Sequence, residues 1–140
     1  MIAFIQWFAQ VPGNHYYVAE PGWPKKLPAK ITVLDVGAGA AVHVWASRAD
    51  WLLDCGSGRD YERVLRSYLH GAGINRITGL LLTHGDSLHL GGTENLLRDF
   101  VPHVLIDNSA ETGAVELEFG EREWQARAYL TGEIFRSANR

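Results

Sequence analysis

Apolar residues in this chain recur at every second position along several short runs and at every third or fourth position along one longer run. The short runs are rich in β-branched and large apolar residues and end at glycine, proline or polar turns, so they predict strands. Five strands are predicted in this way, at residues 31–36, 42–45, 51–55, 77–83 and 104–107. Tight connections between the first three favour an antiparallel start to a sheet.

Helical spacing governs the segment between the third and fourth predicted strands. Its apolar residues fall at i, i+3, i+4, i+7, i+8 and i+11, and they are Tyr61, Val64, Leu65, Tyr68, Leu69 and Ala72. This spacing predicts an amphipathic helix that ends at Gly71 and Gly73. A second, short helix is predicted at residues 94–100, before Pro102. The order of elements predicts an α/β domain with a mixed sheet and flanking helices.

The last thirty residues contain a hairpin pattern. Residues 115–119 alternate apolar side chains with glutamates, and residues 124–130 alternate in the same way. Gly120-Glu121 between them predicts a type II′ turn.

The first thirty residues differ in composition from the rest. Residues 1–9 are apolar almost throughout and predict a short helix, whereas residues 10–30 contain four of the five prolines and predict a linker. The apolar segment is shorter than the ~20 residues of a membrane span and lacks the basic start of a signal peptide. It could pack on a core, lie at a membrane interface, or end a longer membrane region. The basic side chains of Lys25, Lys26 and Lys30 fit a solvated connector, with an anionic partner as the alternative.

Length, charge and cysteine content narrow the function classes. One hundred and forty residues suit one domain, and a formal charge of -3 provides no broad basic surface for nucleic acid, so any such contact must be local or metal-mediated. Cys55 is the only cysteine, which excludes an internal disulfide and a cysteine-rich zinc site. It fits a small buried residue at a strand end better than a nucleophile.

A glycine-rich stretch at residues 37–42 superficially resembles a dinucleotide-binding loop. Val42 occupies the place of the third glycine, and an alternating strand follows where that motif requires a helix. The stretch therefore predicts a tight turn between strands.

Three residues with metal-ligand side chains follow the predicted strand at 77–83. His84, Asp86 and His89 lie within six residues and are flanked by glycines. Two imidazoles and a carboxylate suit a borderline cation such as zinc or manganese. The alternative is that these are ordinary polar loop residues.

Asp54 ends a neighbouring apolar strand. A carboxylate in that position can orient a ligand histidine through the second ring nitrogen. The alternative is a turn residue before Gly56.

These residues resemble a known family. The stretch Thr-His-x-Asp-x-x-His-x-Gly-Gly at residues 83–92 resembles the His-x-His-x-Asp-His signature of the metallo-β-lactamase superfamily, and Asp54 resembles its earlier strand-end aspartate. Within that superfamily, Leu-Asp-Val-Gly-Ala-Gly-Ala-Ala at residues 34–41 resembles the Leu-Asp-Val-Gly-Gln-Gly-Asp-Ala opening of the C-terminal domain of ComEC-type competence proteins. The Leu-Thr-His-Pro-Asp-x-Asp-His-x-Gly-Gly stretch of those proteins also has aspartate at the place of Asp86.

The resemblance implies a fold and a site. It implies a partial metallo-β-lactamase-type fold over residues 31–140, preceded by the apolar helix and linker of residues 1–30. It implies that His84, Asp86 and His89 bind one divalent ion, zinc or manganese, that Asp86 is also catalytic, and that Asp54 supports the ligands.

Three departures from the family pattern limit that expectation. Leu88 stands where the family has a second aspartate for a second ion, and alanines at 38 and 40 replace the polar pair of the opening motif. The later histidine and aspartate ligands have no counterpart after residue 107, so we expect the domain to be truncated.

The leading hypothesis for function is therefore a ComEC-like DNA-uptake domain that resembles a metal-dependent hydrolase of phosphodiester bonds. The resemblance implies single-stranded DNA as substrate, a membrane-embedded channel portion as partner, and association with the inner membrane, although the isolated chain has no predicted span and is expected to be soluble. One alternative is a non-catalytic remnant or interaction domain of the same fold. Another is a single-metal hydrolase of small esters or lactones.

Overall fold

A computed structural model describes residues 29–108 and 113–137, and the backbone of residues 5–11 and 14–19. The strands are β1 (Ile5–Val11), β2 (Asn14–Ala19), β3 (Ala29–Val33), β4 (Val42–Ala46), β5 (Ala49–Leu53), β6 (Gly79–Leu82), β7 (Val104–Asp107), β8 (Val115–Phe119), β9 (Trp124–Ala128) and β10 (Ile134–Arg136). The helices are α1 (Gly58–Asp60), α2 (Arg66–Gly71), α3 (Ser87–Leu90) and α4 (Thr93–Phe100), and a π-helical turn, Tyr61–Leu65, joins α1 to α2.

The central sheet has five strands in the order β3-β4-β5-β6-β7. β3, β4 and β5 pair antiparallel, whereas β5, β6 and β7 pair parallel. Ser47 and Arg48 both have positive φ, 51° and 60°, between β4 and β5, as a two-residue hairpin turn of type I′ requires. The connections that contain helices produce the parallel pairs. The carboxyl ends of β5, β6 and β7 consequently meet at one edge of the sheet.

A helical layer covers one face of this sheet. Tyr61, Leu65 and Leu69, one turn apart along the predicted amphipathic stripe, are completely buried. They pack in one cluster with residues from the sheet and from α4, among them Leu52, Leu80, Leu82, Leu96 and Phe100. Each buried side chain of this size contributes about 1.5–3 kcal/mol relative to exposure. The amphipathic helix and the short helix before Pro102 are thus confirmed.

A second, three-stranded antiparallel sheet, in the order β10-β9-β8, covers the opposite face. Trp124, Ala126 and Ala128 alternate along β9 and point into the core between the two sheets. The rings of Trp51 and Trp124 meet edge to face there, with centroids 4.9 Å apart. The architecture confirms the predicted mixed sheet with flanking helices.

The structure corrects the prediction of an apolar helix at residues 1–9. Ile5–Val11 form strand β1, which pairs antiparallel with β2. Strand β2 itself lies within the segment that was predicted to be a linker. The aromatic and β-branched residues of this segment favour strands, and the sequence between β1 and β2 contains Pro-Gly, a dipeptide typical of turns. The later part of the linker, residues 20–28, lies outside the described residues. Within the described part of the chain, no helix has the length and apolar character to cross a membrane.

The C-terminal hairpin is confirmed with a different turn. Gly120 donates its N–H to the carbonyl of Glu123 at 2.8 Å, and four residues separate β8 from β9, rather than the two of a type II′ turn. The hairpin continues into a third strand, β10, which was not predicted. Only three residues of β10 are in strand conformation, too few for alternation to reveal it.

Candidate metal centre

The candidate site lies at the carboxyl edge of the central sheet. Asp54 follows β5 and His84 follows β6, and these two strands are parallel neighbours. The backbone N–H of Asp54 donates to the carbonyl of Leu81 at 2.8 Å, so the pairing continues to the last residue of the edge. The parallel pairing therefore places two segments that are thirty residues apart in the chain side by side.

Asp54 anchors the segment that carries the first histidine. Its carboxylate is buried, and its two oxygens accept hydrogen bonds from the backbone N–H of Thr83 at 2.7 Å and from the Thr83 hydroxyl at 2.5 Å. Asp54 has a φ of 59°, in the left-handed region that aspartate tolerates better than most residues. The two hydrogen bonds offset the cost of this backbone conformation. Asp54 is therefore more than a turn residue.

Thr83 connects Asp54 to His84 through two hydrogen bonds. The Thr83 hydroxyl has one proton, which it donates to Asp54, so it can only accept from Nδ1–H of His84 at 2.9 Å. That hydrogen bond leaves Nε2 of His84 with a free lone pair. Asp54 is thus connected to His84 through Thr83, a residue for which the sequence pattern gives no separate signal. That Asp54 supports a metal-binding histidine stays a prediction.

His89 is oriented by Asp86 in a similar way. Nδ1 of His89 lies 2.7 Å from Oδ1 of Asp86, and the imidazole rings of His84 and His89 are 4.7 Å apart. Because a carboxylate can only accept, Nδ1 of His89 donates and Nε2 is left free. This hydrogen bond raises the pKa of His89 above its usual range and lowers the pKa of Asp86 below its usual range. A carboxylate behind an imidazole is the usual arrangement around a metal-binding histidine.

Asp86 also caps the short helix α3. Its Oδ1 accepts from the backbone N–H groups of Leu88 at 2.9 Å and His89 at 3.1 Å. These bonds fix the backbone that presents His89, while Oδ2 takes no part in them. The sequence could have revealed this role, since aspartate is among the preferred residues at a helix N-cap.

One ligand atom each from Asp54, His84 and His89 lie within 4.8 Å of one another. This is the only such group of three potential metal ligands in the described parts of the chain, and Asp86 is not a member of it. Two imidazole nitrogens and one carboxylate oxygen form the donor set of a catalytic zinc site, in which three protein ligands leave one position open. The residues therefore fit a single zinc or manganese ion. The ligand role of Asp86 stays a prediction.

Leu88 takes the place of the second carboxylate and lies at the surface. Its side chain is 42% exposed and offers no donor atom to an ion. Its carbonyl lies only 2.1 Å from the point where a Cβ on Gly39 would be. Glycine is therefore required at position 39, where the loop from β3 to β4 packs against residues 83–92, called the histidine loop from here on. In the loop from β3 to β4, the carbonyl of Ala40 also accepts a hydrogen bond from the N–H of Gly56 at 2.9 Å.

Cys55 forms hydrogen bonds with the histidine loop. Its backbone N–H and its thiol both point at the carbonyl of His89, at 2.9 and 3.4 Å, and Sγ lies 3.2 Å from the Thr93 hydroxyl. The residue is completely buried, and burial raises the pKa of its thiol. A buried thiol with a raised pKa is a poor nucleophile. The structure thus supports the interpretation of Cys55 as a small buried residue.

Comparison with known proteins identifies the family of this chain. The family profile described as the metallo-beta-lactamase superfamily matches residues 34–132. Comparison with curated proteins gave no match. A solved subclass B3 metallo-β-lactamase from a soil metagenome library is similar at 16% identity and a TM-score of 0.50, over 78% of this chain and 58% of that one.

Two further solved structures are similar at lower scores. A metallo-β-lactamase of Cronobacter sakazakii with a HARLDQ motif is 13% identical with a TM-score of 0.49, over 83% of this chain and 60% of that one. A diphosphatase of the PhnP family is 20% identical with a TM-score of 0.39, over 51% of this chain and 35% of that one.

The chain spans no more than about three fifths of these solved structures, 60% of the Cronobacter protein and 58% of the soil enzyme. At such identities the structures show the fold alone. The family match covers well over half of the chain. The chain therefore belongs to the metallo-β-lactamase superfamily, and its fold is a partial version of the fold of that superfamily.

Proposed function

We propose that this domain is ComEC-like and acts in DNA uptake as a metal-dependent hydrolase of phosphodiester bonds. The observation that supports this most is the convergence of Asp54, His84 and His89 to within 4.8 Å at the edge of a superfamily fold. The packing of Gly39 against Leu88 supports the ComEC-like part, because it brings the opening motif of residues 34–41 into contact with the histidine loop.

The residues of the site have distinct roles in this proposal. His84 and His89 bind the ion through Nε2, and a carboxylate of Asp54 or Asp86 completes the set. When bound, a zinc or manganese ion lowers the pKa of water and polarises a phosphoryl oxygen. Thr83 and Asp54 hold the ring of His84, and Asp86 holds the ring of His89. Asp86 is predicted to be catalytic, and we also assign it a positioning role, because its Oδ1 caps α3 and accepts from Nδ1 of His89.

The partners and the location follow from the same family relation. A single strand of DNA is the proposed substrate, and a membrane-embedded channel portion is the proposed partner, which would place the domain at the inner membrane. A net charge of -3 agrees with a substrate that is held locally rather than by charge over the whole surface.

Leu88 favours a second candidate function, a non-catalytic interaction domain with the same fold. Two-metal sites stabilise both the attacking and the leaving oxygen of a phosphodiester. An exposed leucine in place of the second carboxylate removes a ligand of the second ion. Such a domain would still bind one ion through His84 and His89.

Cleavage of a labelled single-stranded oligonucleotide, with zinc or manganese added, tests the proposed function. The wild-type chain should cleave it, and the variant His84→Ala with His89→Ala should not. Hydrolysis of a lactone without cleavage of DNA would instead assign the ester or lactone activity. Metal binding without either reaction would establish the interaction domain.

A further inference from the structure

We infer that the chain has a second ligand site, for a nucleotide, at the end of β5 opposite to the metal centre. An open cavity of about 390 Å³ lies there, within the size range of small-molecule sites. Its wall includes Lys30, His43, Trp45, Asp50, Tyr68 and Arg76. Asp50 lies near the start of β5 and Asp54 directly after its end, so the cavity and the metal centre lie toward opposite ends of this strand.

Strand register builds one wall of this cavity. Lys30 on β3 pairs with Trp45 on β4, and Trp45 pairs with Asp50 on β5. Paired residues point to the same face of a sheet, which here is the face covered by helices. Helix α2 ends at Gly71, and Trp45 is left 42% exposed. An exposed indole beside a cavity is a surface on which a flat ring can stack.

A buried histidine fixes the polar part of the wall. His43 is 4% exposed, with Nε2 2.9 Å from Oδ1 of Asp50 and Nδ1 2.8 Å from the hydroxyl of Tyr68. The carboxylate can only accept, so Nε2–H of His43 donates to it, and Nδ1 of His43 shares one hydrogen bond with the Tyr68 hydroxyl. The Tyr68 oxygen therefore keeps a lone pair for a donor from a ligand, such as a sugar hydroxyl or an amino group of a base.

The charges of the wall favour an anion. Within the described residues, the side chains of Lys30 and Arg76 form no ion pair or hydrogen bond, and both residues are exposed, so both cations are available to a ligand. Asp50 opposes them, but its carboxylate is engaged by His43. Two cations against one carboxylate leave the cavity locally positive in a chain whose net charge is -3.

Together these groups match one class of ligand. Lys30 and Arg76 suit a phosphate, Trp45 suits a base, and the Tyr68 oxygen suits a donor, which is the combination found in a nucleotide. The nucleotide can be free or part of a single strand of nucleic acid. The inference does not depend on the proposed hydrolysis, because none of these residues belongs to the metal centre.

Binding of thymidine monophosphate and of a short labelled oligothymidylate, both in EDTA, tests the inference. The charge reversals Lys30→Glu and Arg76→Glu together should weaken binding by about tenfold or more. Arg63→Glu with Arg122→Glu is the matched control, since both arginines are exposed, lie outside the cavity and change the charge equally. Trp45→Leu should also weaken binding, whereas Trp45→Phe should restore most of it.

The outcomes separate the possibilities. Equal losses in the charge-reversal pair and its control, or no binding by the wild-type chain, would overturn the inference. Binding of oligothymidylate alone would identify a nucleic-acid strand as the ligand, and binding of both would include free nucleotides. Circular dichroism shows whether each variant is folded. The variant His84→Ala with His89→Ala should bind as wild type does, which distinguishes this site from the metal centre.

Discussion

The two ends of β5 use histidine in opposite ways. Near Asp54, His84 is exposed and His89 is partly exposed, and each uses Nδ1 for a hydrogen bond and keeps Nε2 free. At the Asp50 end, His43 is buried and both of its nitrogens are occupied. The free nitrogens suit a metal ion, whereas the saturated ring can only brace the residues around it. What a histidine can do here is thus decided by its hydrogen-bond partners.

The largest stability effect should come from Asp54→Ala. This variant tests whether the structure at the metal-centre end of β5 depends on the buried Asp54 carboxylate. The variant leaves the Thr83 N–H and hydroxyl without their acceptor and places alanine at a positive φ. We expect the free energy of unfolding to fall by about 3 kcal/mol, measured by urea denaturation. Asp54→Asn, which retains an acceptor and tolerates this φ, should lose clearly less. Equal losses in the two variants would contradict the anchoring role.

Gly39→Ala should have the next largest effect on stability. It tests whether packing between the opening motif and the histidine loop matters for zinc binding. The new Cβ would meet the Leu88 carbonyl at 2.1 Å, so one of the two loops must move. We expect a loss of about 2 kcal/mol in unfolding free energy together with weaker zinc binding. Gly71→Ala is the control, because a Cβ there meets nothing within 4 Å. An unchanged zinc affinity in Gly39→Ala would separate the two loops functionally.

His43→Leu tests the comparison from the other end of β5. The variant removes two hydrogen bonds, but Asp50 and Tyr68 are only partly buried and regain contact with water. We expect a loss of about 1 kcal/mol and no change in zinc affinity. Calorimetric titration with zinc would check the second point, and a weakened affinity would show that the two ends are coupled.

The smallest expected effect is on the pH dependence of stability, and it comes from Cys55. Its thiol pKa is raised in the folded state by burial. Below the ordinary pKa of about 8.5 both states keep the proton, and at higher pH the unfolded chain releases it first. The stability that wild type has relative to Cys55→Ala should therefore decline as pH rises above about 8.5. A difference that stays constant or grows up to pH 10 would contradict a raised thiol pKa.

The sequence was informative where the relevant residues are close together in the chain. The amphipathic helix repeats every turn, so local spacing was enough to predict it. His84, Asp86 and His89 lie in one loop, so their proximity followed from the sequence, whereas their roles stay predictions. The contact of Asp54 with Thr83 joins residues 29 apart, and that of His43 with Tyr68 joins residues 25 apart. Such contacts depend on strand pairing and helix placement, which periodicity does not specify. The prediction of a helix at residues 1–9 was wrong because apolar content without a clear period fits a helix or a strand equally well.

Zinc stoichiometry and affinity test the central claim most directly, namely that His84 and His89 bind one metal ion at the carboxyl edge of the sheet. Elemental analysis after dialysis against zinc should find one ion per wild-type chain and none in the variant His84→Ala with His89→Ala. The variant His43→Leu with His70→Leu also lacks two histidines and should retain the ion. Absence of stoichiometric zinc or manganese from the wild-type chain, or equal retention by both double variants, would contradict the account.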